Sequence, residues 1–315
     1  MKKTEKLLTK TGVVWFGALI CCALWGSAFP CIKMGYQLFK IPSSDTPSQI
    51  LFAGYRFMLA GLLTIVIGSI LSRKVLLPKV SSIKKIVSLS MLQTVIQYLF
   101  FYIGLAHTTG VKASIIGGMN VFVAILIASL LFHQEELTSR KLLGCLIGFA
   151  GVVLININGS GVDMKFHLLG EGAIFLSTIA YAFSSVYMKK YSEAENPVML
   201  SGWQFMLGGV IMSICGGLMG GKVTGFTPAS TILLVYMGMI SAVAYSIWGI
   251  LLKYNPVSKV TVFGFMNPVF GVLLSAIILG ETQQASGIKS FISLVLVCIG
   301  IYIVNYKKKT QQTAV

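Results

Sequence analysis

Stretches of about twenty apolar residues recur along this chain, and they constrain its fold more than any other feature. A helix of that length crosses the roughly 30 Å hydrocarbon core of a bilayer with its backbone groups satisfied internally. Such stretches run near Gly12 to Tyr36, Gln49 to Leu71, Ile83 to Ala106, Lys112 to Phe132 and Leu142 to Ile157. Five more run near Gly170 to Met188, Pro197 to Met219, Thr231 to Leu252, Val260 to Leu279 and Ser286 to Val304. Charged residues make up 11% of the chain and hydrophobic residues 56%, whereas an ordinary soluble domain is about 25% charged. Water could not host that much apolar surface, and the alternating strands of a closed barrel are absent from the pattern. The sequence therefore predicts an all-α integral membrane protein with ten transmembrane helices.

The second constraint is an internal repeat. The string Lys-x4-Gly-x-Met-Asn occurs as Lys112, Gly117, Met119, Asn120 and again as Lys259, Gly264, Met266, Asn267, each time opening the fourth span of its half. The same register pairs Tyr98 with Tyr245 and Phe101 with Trp248, and a slip of one residue pairs Tyr55-Arg56-Phe57-Met58 with Trp203-Gln204-Phe205-Met206. Five spans separate the copies, and an odd number makes the second copy face the other way. Two inverted five-helix repeats are therefore expected: residues 1–157, a Gly- and Ser-containing linker at 158–169, residues 170–306, and a basic tail at 307–315. Inverted repeats mark secondary transporters, whose halves rock around a site near the bilayer midplane.

Orientation follows from the basic residues, because short loops rich in lysine and arginine stay inside. With the N-terminus inside, 18 of the 25 lysines and arginines fall on the cytoplasmic face, so both termini are expected there. The expected location is the bacterial cytoplasmic (inner) membrane. The net charge of +16 does not point to nucleic acid, because the cations sit in short clusters between apolar runs rather than on one face. The six cysteines lie in or at the ends of apolar runs without metal or redox spacing, and read as small packing residues. Residues 1–28 resemble a signal peptide ending at Gly26-Ser27-Ala28, but the apolar run is long for a signal and reads as a retained span.

In order along the chain stand Trp25-Gly26-Ser27-Ala28-Phe29, Arg56-Phe57, Gly170-Glu171, Met266-Asn267-Pro268, Gly280-Glu281 and Gly300-Ile301-Tyr302-Ile303-Val304-Asn305. In this series the chain resembles the drug/metabolite transporter superfamily, of the EamA type with ten spans. The first half departs from the pattern, with Val121 where the family often has proline and His133-Gln134-Glu135 in place of Gly-Glu. The resemblance implies export of metabolites or amino acids, or in some members import or exchange, by alternating access without ATP. No cofactor is implied.

Candidate substrate-binding residues are Trp25, Arg56, Gln93, Gln97, Tyr98, Asn120, Tyr181, Tyr245, Trp248 and Asn267. At 1.5 Å per residue, Arg56 lies about 10 Å below the outer surface, and Asn120 and Asn267 each lie about 12 Å from a span end. An arginine at the bilayer centre costs roughly 2.5 to 3.5 kcal/mol on insertion scales, which argues against a lipid-facing place. It either holds a substrate carboxylate in its guanidinium fork, or snorkels or braces helices, with Glu171 the nearest candidate acid. The two asparagines either bind substrate or join helices, and Pro268 frees a backbone carbonyl or permits a bend. Gln93, Gln97 and Tyr98 share neighbouring helical positions, and with the aromatic residues they are expected to line a cavity for an apolar or cationic group. Gly144 and Gly148 have the small-xxx-small spacing of close helix packing.

Two patterns are set aside. Gly216, Gly221 and Lys222 mimic most of a phosphate loop, but Val223 stands where Ser or Thr is required and no strand precedes the segment. His107, His133 and His167 are scattered, without metal spacing. Uptake of a small cationic or polar nutrient is the main alternative to export, and a membrane-embedded enzyme would need a nucleophile and base that the spans lack. The expected partners are a small-molecule substrate and the lipid bilayer, with assembly as a homodimer left open.

Overall fold

A computed structural model describes residues 3–108, 110–156, 167–279 and 288–306, which are helical and contain no strand among the described residues. The expected linker falls almost wholly outside them, as do the basic tail and Gly280-Glu281. A short α1 (Lys3–Leu8) leads into α2 (Thr11–Leu38) and α3 (Thr46–Ser72). Next, α4 (Ile83–Ser90) passes through a π-helical turn, Met91–Ile96, into α5 (Gln97–His107). The chain continues as α6 (Gly110–Gly118), α7 (Asn120–Leu126), a π turn at Ile127–Leu131, and α8 (Ser139–Asn156). A further π turn, Leu168–Gly172, opens α9 (Ala173–Ser192), followed by α10 (Pro197–Leu218) and α11 (Pro228–Tyr254). The last elements are α12 (Val257–Thr261), a 3-10 turn at Val262–Phe265, α13 (Met266–Leu279) and α14 (Ile288–Asn305).

Helix starts follow local chemistry. Asp45 accepts from the Ser48 amide at the head of α3, and Asn196 accepts from the Val198 and Met199 amides at the head of α10. Thr227 and Ser230 form a reciprocal capping box at α11. All three helices carry proline in the first turn, where its missing N–H costs nothing.

Among the described residues, seven helices are long and apolar enough to cross a membrane: Thr11–Leu38, Thr46–Ser72, Val80–His107, Leu168–Ser192, Pro197–Leu218, Pro228–Tyr254 and Val257–Ile278. Two shorter apolar helices, Ile115–Leu131 and Ser290–Asn305, accompany them. The outer surface carries Phe16 at 70% exposure, Leu71 at 80%, Leu218 at 84% and Ile277 at 78%. Such a surface is stable only where hydrocarbon is the solvent. The protein is therefore a membrane protein.

Glycines set the closest helix contacts. Gly54, Gly61 and Gly68 recur every seven residues on α3, and Gly202, Gly209 and Gly216 do so on α10. A Cβ on Gly61 would lie 2.5 Å from the Met206 amide nitrogen, and one on Gly209 would lie 2.4 Å from that of Met58. The two backbones touch along this seam, where van der Waals contact drives helix association in lipid. The α8 and α14 pair meets in the same way, with Gly300 against the Gly144 carbonyl and the Gly148 amide. Gly216 belongs to the first seam, packed on Leu51, which gives it a packing role in place of a phosphate-loop one.

Two apolar paths are interrupted near their middles. Ahead of Pro268 the chain tightens into the 3-10 turn Val262–Phe265, the place where the proline ring would clash with the carbonyl four residues back. The first half has Val121 instead of proline, yet helix still breaks at Met119, whose amide bonds to the Ile116 carbonyl after the Gly117-Gly118 pair. The first half is thus interrupted without a proline, at the residue that follows a Gly-Gly pair.

Candidate substrate site

Arg56 is the organising residue. It is 4% exposed, deep in α3, with its Cζ 4.4 Å from the Phe57 ring centroid and 5.6 Å from that of Tyr98. Tyr36, Tyr98, Tyr102 and Tyr245 all stand within electrostatic reach of the guanidinium. Tyr36 interacts through its hydroxyl with Tyr102, and Tyr98 does so with Tyr245. The charge therefore lies against the ring faces of Phe57 and Tyr98, each cation–π contact supplying about 0.5 to 2 kcal/mol. Among the described residues no carboxylate pairs with it. Glu171, the acid expected nearest to it, instead pairs with Lys112 at 2.9 Å and accepts from Thr108 Oγ1 and the His167 amide. The reason is local: the π turn at Leu168–Gly172 points Glu171 toward the start of α6.

An aromatic wall continues from the arginine. Phe57 and Tyr98 lie 4.5 Å apart, Phe57 stacks on Phe205 at 5.4 Å and 9°, and Phe205 meets Tyr245 edge-on at 4.8 Å. Trp25 of α2 contacts both Tyr245 and Trp248 of α11 at 5.0 Å. Tyr181 of α9 joins the same cluster. Helices α2, α3, α5, α9, α10 and α11 thus bring Trp25, Arg56, Tyr98, Tyr181, Tyr245 and Trp248 together.

Several polar atoms of this region are buried without a hydrogen-bond partner: Arg56 Nε, Trp25 Nε1, Trp248 Nε1, Gln93 Oε1 and Gln97 Oε1. Each such atom costs about 1 to 3 kcal/mol unless something satisfies it. Arg56 Nε and the two indole nitrogens are donors, and the two glutamine oxygens are acceptors.

The other expected residues stand differently. The π turn Met91–Ile96 precedes Tyr98, and one extra residue per turn rotates the preceding helix by about 100° from the regular register. Beside the fully buried Gln93, Thr94 Oγ1 donates to Gln204 Oε1 at 2.8 Å, tying the turn to α10. Asn120 lies against Gly264 of the 3-10 turn, and Asn267 leaves Oδ1 without a partner in the first turn of α13. Neither joins the aromatic cluster. Tyr36 packs against the cluster and Gln204 bonds to Thr94 beside it, and neither is among the binding residues expected from sequence. Tyr36 reads as an interfacial aromatic at a span end, whereas Gln204 was marked by its alignment with Arg56. His107 and His167, scattered in sequence, line one small groove together, but among the described residues no cluster of three metal-ligating side chains exists.

The profile of the EamA-like transporter family matches residues 11–157 and 168–306. The chain belongs to this family. Among its relatives, the "uncharacterized transporter YvbV" of Bacillus subtilis is 25% identical over 92% of this chain and 91% of its own length. The "uncharacterized inner membrane transporter YedA" of Escherichia coli K12 is 26% identical over 91% and 92%. A "probable amino-acid metabolite efflux pump" of Salmonella typhimurium is 25% identical over 95% and 97%. One crystal structure, 16% identical, shares the fold with a TM-score of 0.75 over 93% of this chain and 96% of its own. This EamA chain is thus a membrane transporter.

Labelling probes the cluster in this EamA protein directly. Gln97→Cys and Tyr245→Cys are expected to react with a membrane-permeant thiol reagent and to be shielded by a transported substrate. Unreactive cysteines at both positions would remove these residues from a substrate path.

Proposed function

We propose that this EamA protein exports a small carboxylate-bearing metabolite, an amino acid or a related compound, by alternating access of two inverted five-helix units. The observation that carries the reading is Arg56, buried among tyrosines with no carboxylate partner among the described residues. A guanidinium fork binds a carboxylate through two parallel hydrogen bonds, and the unpartnered amide oxygens of Gln93 and Gln97 suit an ammonium group. Trp25, Tyr98, Tyr181, Tyr245 and Trp248 provide the surface for the rest of the ligand, while Asn120 and Asn267 act at the two interrupted helices. The efflux pump among the relatives supports the direction.

Contacts between helices support the inverted repeat. The α2 packing on α11 and α13 has its counterpart in the α9 packing on α5, α6 and α7. The α3–α10 and α8–α14 pairs join helices that are equivalent between the units. Aligned residues make aligned contacts, since Phe57 with Tyr98 repeats as Phe205 with Tyr245. Lys112 reaches the start of the sixth span at Glu171, and Lys259 Nζ reaches the Thr9 carbonyl at the start of the first. In this reading the two shorter apolar helices, the fourth and the tenth, and α8 complete ten spans, with both termini in the cytoplasm.

Purified protein is to be melted across a panel of amino acids and metabolites, and any stabilising compound tested for counterflow in proteoliposomes. A carboxylate-bearing compound that stabilises and drives counterflow is the expected result. Stabilisation without counterflow would mark a binding protein, and a panel in which only compounds lacking a carboxylate are transported would remove Arg56 from its role.

A further inference from the structure

A second site lies on the flank of the bundle, away from the aromatic cluster. Between the start of α4 and the middle of α10 runs a groove of about 380 Å³, walled by Pro78, Ile83 and Val87 on one side and Trp203, Met206 and Val210 on the other. Its walls are carbon. The indole nitrogen of Trp203 donates to the Leu76 carbonyl at 2.7 Å, which leaves the ring as an apolar wall and pins the α3–α4 loop beside it. Val87 and Val210 are exposed toward the bundle's outside, so the groove opens sideways to the lipid.

One end of the groove is basic. Lys79 follows Pro78 and Lys84 follows Ile83, and both are exposed, as are Arg73 and Lys74 earlier in the same loop. Exposed aliphatic side chains alternate with these cations, Val75 at 72%, Leu77 at 67% and Val80 at 85%. That mixture fits the boundary between headgroups and acyl chains. Of the acids on the neighbouring α9–α10 turn, Glu195 is already held by Lys85 at 2.9 Å and Ser82 at 2.8 Å, and Glu193 is exposed. Lys85 and Ser82, with a smaller contribution from the charge of Lys79, hold the Glu195 carboxyl below the usual carboxylate range.

We infer that this groove binds one anionic phospholipid from the adjacent leaflet, an acyl chain lying along the Trp203 wall and the phosphate held between Lys79 and Lys84. Apolar walls open to lipid select for an acyl chain, and the paired lysines at the mouth select the charge. Each lysine near an anionic headgroup is worth about fivefold in affinity. Binding there holds the α3–α4 loop and α4 against α10, the helix that carries the glycine seam.

The test uses the full chain in a neutral detergent, titrated with short-chain phosphatidylglycerol and with phosphatidylcholine of the same chains, following the melting temperature. Phosphatidylglycerol is expected to saturate at a concentration about tenfold or more below phosphatidylcholine. Changing the exposed pair, Lys79→Gln with Lys84→Gln, is expected to bring the two lipids within about threefold while leaving the phosphatidylcholine response in place. Filling the groove with Val210→Trp is expected to weaken both lipids. Equal responses of the unaltered protein to the two lipids would overturn the assignment. So would a preference that survives loss of both lysines, or the same stabilisation by inorganic phosphate alone.

Discussion

Arg56→Ala is expected to abolish transport while leaving membrane abundance within about twofold of the unaltered protein. Removing one member of a buried, hydrogen-bonded charge pair costs about 2 to 5 kcal/mol, which is roughly 30- to 5,000-fold in transport at low substrate. Folding is spared because the arginine's neighbours are tyrosine and phenylalanine rings that close on one another without it. Arg56→Lys is the sharper variant: it keeps the charge but loses the planar fork. It is expected to fail as well, and full transport by either variant would take Arg56 out of the site.

The glycine seam gives the second large effect, on stability. A Cβ at Gly209 would meet the Met58 amide nitrogen at 2.4 Å and the Gly54 carbonyl at 2.8 Å, and backbone on both sides leaves nothing flexible to yield. Gly209→Ala is therefore expected to cost about 3 kcal/mol, at the upper end of overpacking, and to appear as a lowered melting temperature and reduced monodisperse yield. Gly217, on the same helix two turns later, has nothing within 4 Å of its Cβ position. Gly217→Ala is expected to be neutral or stabilising by up to about 1 kcal/mol, through helix propensity alone. Equal behaviour of the two variants would remove the seam from the account.

Family and membrane character were readable from the order of motifs and from the apolar runs, because span length answers to bilayer thickness whatever the packing. Site architecture was readable only in part. Arg56 stood out as a charge in an apolar run, and the aromatic residues stood out by their number. What periodicity could not supply was the π turn before Gln97, a backbone irregularity without a composition signal. Glu171 was matched to Arg56 by depth along the chain, whereas Lys112 and Thr108 come to it from another helix. The glycine heptads on α3 and α10 were present in the repeat alignment, and their meaning appears once the two helices are seen to cross.

Inversion of the second unit is tested most directly at two equivalent loops. Ser43→Cys lies between α2 and α3, and Glu193→Cys between α9 and α10; both positions are exposed. With Cys215 and Cys298 changed to serine, the account predicts that a membrane-impermeant maleimide on intact cells labels Ser43→Cys and reaches Glu193→Cys only after the cells are opened. Labelling of both cysteines from the same side would contradict it.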